Sequence, residues 1–346
     1  MKILLVGDTN IQDREQPISA FARVRALLDS ADLLLGHAEG MFTEEARDRS
    51  KPSLTFKDRW RHSTPEMMSA FKEAGFDALC MASNVSAEAD AVRETLEVAR
   101  RYGIPVCGIG GTLREARAPA IVRHGGVGVA LLSRTSVFWP NIVPATSTRA
   151  GAATIRAYTA YQPGRRVLEM PGAEPIIKTW PEDQDLAALS EDIREAGKRA
   201  DCVIVSMHWG VSSRAEVFEY QRIIARAAVD AGAALVFGHH PHVVSEFEVY
   251  RGAPIFYSLG NFAFDWEKAK NRILDGIVVT AEWDGSVKRI KGFSICPVSR
   301  GEDNLVSELS PDSPKAERIT AYLMETVVHD TPLAMDLREG KIVVGL

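Results

Sequence analysis

Short β-branched runs alternate with longer segments of helical periodicity over the first two thirds of the chain. That alternation permits few folds, because strands joined by helices run parallel and need helices on the faces of their sheet. It predicts an α/β protein with strands over 2–6, 32–36, 78–81, 105–108, 128–132, 202–207 and 234–237. Helices are expected over 65–73, 87–101, 186–199 and 218–231, the last stopped by Gly232. From Glu246 onward the pattern becomes 247–250, 255–259, 273–283 and 287–296, separated by short turns containing Gly or Asp, which reads as an antiparallel β meander. A helix over 314–328 and a strand over 341–344 close the chain. Residues 135–181 show no periodicity and hold clusters of Pro, Gly, Ser and Thr, so they are expected to form an ordered loop excursion on the substrate side.

Charge narrows the partners. With 46 acidic against 41 basic residues the net charge is -5, and Lys and Arg are scattered rather than gathered in a stripe. A nucleic-acid or anionic-lipid surface is therefore not expected, while a few local Arg residues suffice for a small anionic substrate. The first apolar run ends at Asp8, too short for a signal-peptide core, and no stretch has the 18 or so apolar residues of a span. A soluble, cytoplasmic protein without a membrane partner is expected, of open oligomeric state. Cys80, Cys107, Cys202 and Cys296 lie far apart in apolar runs and read as reduced core residues.

In an open α/β sheet the ligand site lies beyond the carboxyl ends of the strands. The residues found there are Gly7-Asp8-Thr9-Asn10, Gly36-His37-Ala38-Glu39-Gly40, Ala82-Ser83-Asn84, Met207-His208-Trp209-Gly210 and Gly238-His239-His240-Pro241-His242. Oxygen and imidazole donors without thiolates suit Mn, Fe, Co, Ni or Zn. Two metals about 3.5 to 4 Å apart need a shared ligand, a task a carboxylate such as Glu39 can perform, with a bridging water as nucleophile. Taken singly, a strand-terminal Asp is more often a turn or cap residue and a lone His a packed or surface one. Three imidazoles around Pro241 are a poor use of core or surface unless something binds them.

The segment 205–265, with VSMHWG, EYQRIIARAAVDAGAALVFGHHPHVV and GAPIFYSLGNFAFD, resembles the signature region of the CapA family of capsule-biosynthesis or poly-γ-glutamate-synthesis proteins. Upstream, GDTN stands at the family's GD motif, HAEG at its Asn-Leu-Glu-Gly type motif and MASNVS at its Ala-Asn-Asn-His motif. The resemblance implies a calcineurin-like metallophosphoesterase fold, a four-layer α-β-β-α sandwich of two mixed sheets, here as one domain over 1–346. It also implies a divalent transition-metal cofactor, two ions of Mn, Fe, Co or Zn. Asp8 and His242 would bind the first, Glu39 would bridge, and Asn84, His208 and His240 would bind the second. Asn10 occupies a slot that often holds a His ligand, and Asn261 would orient substrate or neighbours. His239 is either a ligand or a packing residue.

One departure stands out. After Asn84 the chain has Val85 where the family pattern has a His that stabilises charge or protonates a leaving group in related phosphoesterases, and valine does neither. His37, in a slot usually held by Asn, is the candidate replacement. For an anionic substrate the candidates are Arg134, directly after the 128–132 strand, then Lys57, Arg59 and Arg61, then Arg214. The leading expectation is a metal-dependent hydrolase of an amide (γ-glutamyl-like) or phosphoester bond. A metal-dependent lyase and a non-catalytic accessory protein of polymer biosynthesis are the alternatives.

Overall fold

Ile3, Leu4, Leu5 and Val6 of β1 (Lys2–Asn10) are all without exposed surface, as a central strand of a sheet covered on both faces must be. In the computed structural model, which describes residues 1–346 other than 58, 267–274 and 331, β1 lies within the larger of two mixed sheets. That sheet runs Ala334–Arg338, Lys341–Gly345, Arg289–Arg300, Asp275–Asp284, β1, β2 (Leu33–Ala38), β3 (Ala78–Cys80) and β4 (Val106–Cys107). β1 to β4 are parallel, as their helical connections require. The second sheet runs Val328–His329, Phe247–Tyr250, Ala253–Phe256, Leu235–His239, Cys202–His208, Val127–Thr135 and Ala120–His124.

Strand alternation sorts the core. Ile3, Leu5, Leu33 and Leu35 share one apolar cluster with Val129, Leu131, Ile204 and Phe237 of the second sheet. Their neighbours Leu4, Val6 and Leu34 pack instead with Phe71, Val92 and Val98 of the helices Met68–Ala74 and Ala89–Tyr102. On the second sheet, Ala130, Leu132, Val203 and Val205 pack with Leu189 and Ile193 of Asp183–Gly197 and with Ile224 and Ala225 of Glu219–Asp230. Side chains of period two thus divide each sheet into a face toward the other sheet and a face toward helices. All four cysteines are free and buried. No helix among the described residues is long and apolar enough to cross a membrane.

Two expectations change. The expected meander divides between the sheets: Ala253–Phe256 pairs parallel with Leu235–His239, and Asn261–Phe264 pairs parallel with β1. The chain crosses from one sheet to the other at Gly260, whose φ of 69° no β-branched residue adopts easily. Residues 273 and 274 of the expected 273–283 strand lie outside the described residues. Secondly, the 135–181 excursion contains an antiparallel ribbon, Ala157–Gln162 with Ile176–Pro181. It docks on the Glu219–Asp230 helix, where Thr179 Oγ1 accepts the Tyr220 N–H at 3.2 Å. Its strands are largely exposed on both faces and so lack the apolar alternation that reveals a half-buried strand.

Candidate metal centre

The carboxyl ends of the parallel strands meet at one edge of the inter-sheet core. His37 continues the inward parity of Leu33 and Leu35, His208 that of Cys202 and Ile204, and His239 that of Leu235 and Phe237. Asp8 breaks its own strand's parity. β1 pairs Leu5 with Leu35 but Asp8 with His37, so it carries one extra residue between the two pairs, and this bulge turns Asp8 inward, away from the helix face that Leu4 and Val6 occupy. Gly7 permits it, since a Cβ there would lie 2.3 Å from the Gly260 carbonyl oxygen. That same oxygen accepts the Asp8 N–H at 2.9 Å.

Asp8 is the hub. Its Oδ1 lies 3.1 Å from His239 Nδ1 and its Oδ2 3.2 Å from His242 Nδ1. The His240 N–H donates to Oδ2 at 3.1 Å. His240 and His242 hold left-handed backbone conformations, φ 91° and 58°, of the strained kind that clusters at functional sites. Asn261 steadies His242 by donating its Nδ2–H to the His242 carbonyl at 2.8 Å and placing Oδ1 3.0 Å from Nδ1, which leaves Nε2 3.7 Å from Glu39 Oε2. Asn10 donates its amide to the Glu39 carbonyl at 2.7 Å. Asn84 Oδ1 stands 3.3 Å from His208 Nε2. The rings form a chain, His37 stacked on His239 with centroids 4.3 Å apart, and the tilted pairs His37–His208 and His208–His240 at 5.1 and 4.8 Å.

The donor set fits a divalent cation. One donor atom each from Asp8, His37 and His208 lie within 4.8 Å of one another, as do those of Asp8, Glu39 and His242. Asp8 Oδ1, both Glu39 oxygens, both His37 nitrogens, both His239 nitrogens and Nδ1 of His208 and His240 are buried without a hydrogen-bond partner. Each such group costs about 1–3 kcal/mol unless something binds it. Asp8 is common to the two groups, whereas the resemblance implies Glu39 as the bridging ligand. His37 is fully buried, and one of its nitrogens lies within 4.8 Å of donor atoms of Asp8 and His208; it has no exposed surface from which to meet a leaving group. His239, stacked on it and edge-on to Phe237, is likewise inside.

Burial sets the charges. It pushes the His37 and His208 imidazoles well below their ordinary range and His240 down to about 3, so these rings are neutral donors. It pushes Glu39 up, against the pull of His242 and Lys57. Burial would raise Asp8 too, but the imidazoles of His239 and His242, close against its two oxygens, outweigh it and hold Asp8 well below the usual carboxylate range. For His242 burial opposes the charge, and Glu39 and Asp8 reverse it, raising the imidazole to about 9.

The arginines fare differently. Arg134 shares the helix-facing parity of Ala130 and Leu132, opposite to the face His208 presents, and is paired with Asp192 of the Asp183–Gly197 helix. It is a packing residue of that layer, so its expected substrate role is corrected. Arg134→Met is expected to cost about 2 kcal/mol in urea unfolding, since Asp192 keeps Arg117, while metal content stays unchanged. Arg61 donates Nη2–H to the Ala46 carbonyl at 2.7 Å, Arg214 is exposed, and the Arg59 carbonyl accepts the Trp266 indole N–H at 2.9 Å. Lys57 is the described cation that reaches the cluster, its Nζ 3.8 Å from Glu39 Oε1. Burial lowers its pKa against Glu39 and Asp8. Sequence reasoning missed His62, which is buried and whose Nδ1 accepts both the Met41 N–H and the Trp60 indole N–H at 3.2 Å. A lone His outside any strand end offers no signal of that kind.

The family described as bacterial capsule synthesis protein PGA_cap matches residues 2–266, a stretch that contains every residue of this centre. The chain is similar to the capsule biosynthesis protein CapA of Bacillus anthracis, 30% identical over 258 residues that make up 73% of this chain and 56% of that protein. It thus spans just over half of that relative's length. The PGA biosynthesis protein CapA of Bacillus subtilis (strain 168) is 25% identical over 330 residues, 94% of this chain and 75% of that one. A probable polyglutamine synthesis accessory protein of Mycobacterium tuberculosis (strain ATCC 25618 / H37Rv) is 40% identical over 73 residues, 21% of this chain and 19% of that one.

Proposed function

The chain belongs to the bacterial capsule synthesis protein PGA_cap family, and from that premise we propose that it is a metal-dependent hydrolase acting on an amide (γ-glutamyl-like) or phosphoester bond of a small anionic substrate. The carrying observation is the pair of three-residue donor groups that share Asp8. On this reading the chain is one metallophosphoesterase-like domain, a four-layer α-β-β-α sandwich. Asp8, His37 and His208 would hold one ion and Asp8, Glu39 and His242 another, drawn from Mn, Fe, Co or Zn, with His240, Asn84 and Asn10 bordering them. Ions bound there supply an activated water and a Lewis acid for the attacked bond.

The chain's own groups set the rest. Asn261 fixes the His242 ring so that Nε2 faces Glu39. The inter-sheet core beneath His37 and His239 excludes solvent from the inner side, so substrate approaches from the side of His242, the least buried of the imidazoles in the centre. Val85 is fully buried among apolar residues, so that position offers no imidazole to protonate a leaving group, and a poor leaving group such as an alkoxide would depart slowly.

The test uses the metal-loaded chain with a γ-glutamyl amide and an aryl phosphate in heavy-oxygen water. Hydrolysis places one solvent oxygen in the product, read by mass spectrometry. Turnover without solvent oxygen would point to a lyase. The buried Val85 favours, as a second reading, a non-catalytic accessory role, and the Mycobacterium relative's name contains the word accessory; complete absence of turnover would support that reading.

A further inference from the structure

Val85 leaves the turn after β3 without a cationic group, and Lys57 brings one from another loop. Its Nζ lies 4.1 Å from the ring centroid of Trp60 and 5.1 Å from that of Trp266. Both indoles are fixed, Trp60 by its N–H to His62 Nδ1 at 3.2 Å and Trp266 by its N–H to the Arg59 carbonyl at 2.9 Å. The side chain is 23% exposed, and its approach to a charge is the 3.8 Å to Glu39 Oε1, beyond hydrogen-bond length. An ammonium has three N–H donors and no acceptor. Among the described residues Nζ makes no hydrogen bond, so those donors remain available at the edge of the centre.

Beside a candidate metal ligand, such a cation is attracted to Glu39 but repels the ions that Glu39 would help to hold. Asp8 and Glu39 together carry a charge of about -2 when ionised. One divalent ion cancels that, a second leaves an excess, and the Lys57 ammonium adds to it in both cases. An oxyanion placed between the ions and Nζ removes the repulsion.

We propose that Lys57 is the anion-holding residue of this centre: it seats an oxyanion of the substrate, carboxylate or phosphate, from a slot between Trp60 and Trp266. This rests on the metal-centre reading above. It places the substrate's negative group on the Glu39 side of the site, and it makes Lys57, rather than the arginines, the determinant of charge specificity.

The probes are inorganic phosphate and glutarate, titrated by calorimetry into the manganese-loaded chain, with Lys57→Met and Lys57→Arg beside the unaltered protein. Methionine keeps the unbranched stem between the indoles and removes the charge. For whichever probe binds, Lys57→Met is expected to weaken binding on the order of tenfold or more and Lys57→Arg by about threefold or less. Metal content, read by elemental analysis, should match the unaltered protein in both variants. Lys57-dependent binding of phosphate alone assigns a phosphoryl group, and of glutarate alone a carboxylate. Undiminished binding in Lys57→Met of whichever probe binds the unaltered protein overturns the proposal, as does failure of both probes to bind the metal-loaded protein. Failure of the chain to take up metal would instead sink the metal-centre reading, so the two failures are distinguishable.

Discussion

Asp8→Ala is expected to leave the purified chain with almost no bound transition metal, whereas His37→Ala and His242→Ala should each retain part of it. Asp8 belongs to both donor groups, while His37 and His242 belong to one each. Its substitution removes a full negative charge and the donor both positions share. The loss in affinity should exceed the roughly 10–100-fold typical of residues that merely support a ligand. The measurement is elemental analysis after dialysis against a fixed, low metal concentration. From about two ions per chain, near-zero content is expected in Asp8→Ala and about one in either histidine variant. Asp8→Asn serves as a control for folding, since it retains an acceptor for the His240 N–H. Equal metal content in Asp8→Ala and the unaltered chain would remove the basis for the whole assignment.

Gly7→Ala should be nearly as damaging although it deletes no donor. The added Cβ would stand 2.3 Å from the Gly260 carbonyl oxygen and 3.2 Å from that of Leu259. Both are backbone atoms of the segment that carries the chain from one sheet to the other, so neither moves without disturbing the Asp8–Asn261 pairing. The expected cost is about 3 kcal/mol in urea unfolding, at the upper end for overpacking, together with a fall in metal content as Asp8 is drawn from the cluster. Gly197→Ala is the comparison: the nearest atom to its new Cβ is 3.9 Å away, and stability should change by less than about 1 kcal/mol. If the two variants unfold alike, the close approach of Gly7 and Gly260 does not shape the site.

What was legible in the sequence followed from burial. β1, β2 and the Cys202–His208 and Leu235–His239 strands are apolar on both faces, and unbroken apolar runs between helical patterns identify such strands without a structure. The ribbon of Ala157–Gln162 and Ile176–Pro181 escaped because neither face is consistently buried. Arg134 was misread for a related reason. It follows an apolar strand segment, as His208 does, but sits one residue earlier in the register, opposite Met207, and so faces the helices. Closeness to a strand end locates a residue along the sheet and says nothing of its face. Lys57 and His62 lie on a loop, where no periodicity links them to the strands they meet.

By itself the sequence determined the donor inventory and its order along the chain. Strand, turn and helix signals are local, and parallel strands deliver their last residues to one edge whatever their spacing in sequence. Tertiary structure alone decided that Asp8 is common to both candidate donor groups, that His37 joins one of them, and that a lysine between two indoles reaches Glu39. Those outcomes depend on one extra residue in β1, on the register between strands, and on a crossing at Gly260 that brings residues more than 250 positions apart into contact. They are set by non-local packing, which no window of neighbouring residues contains.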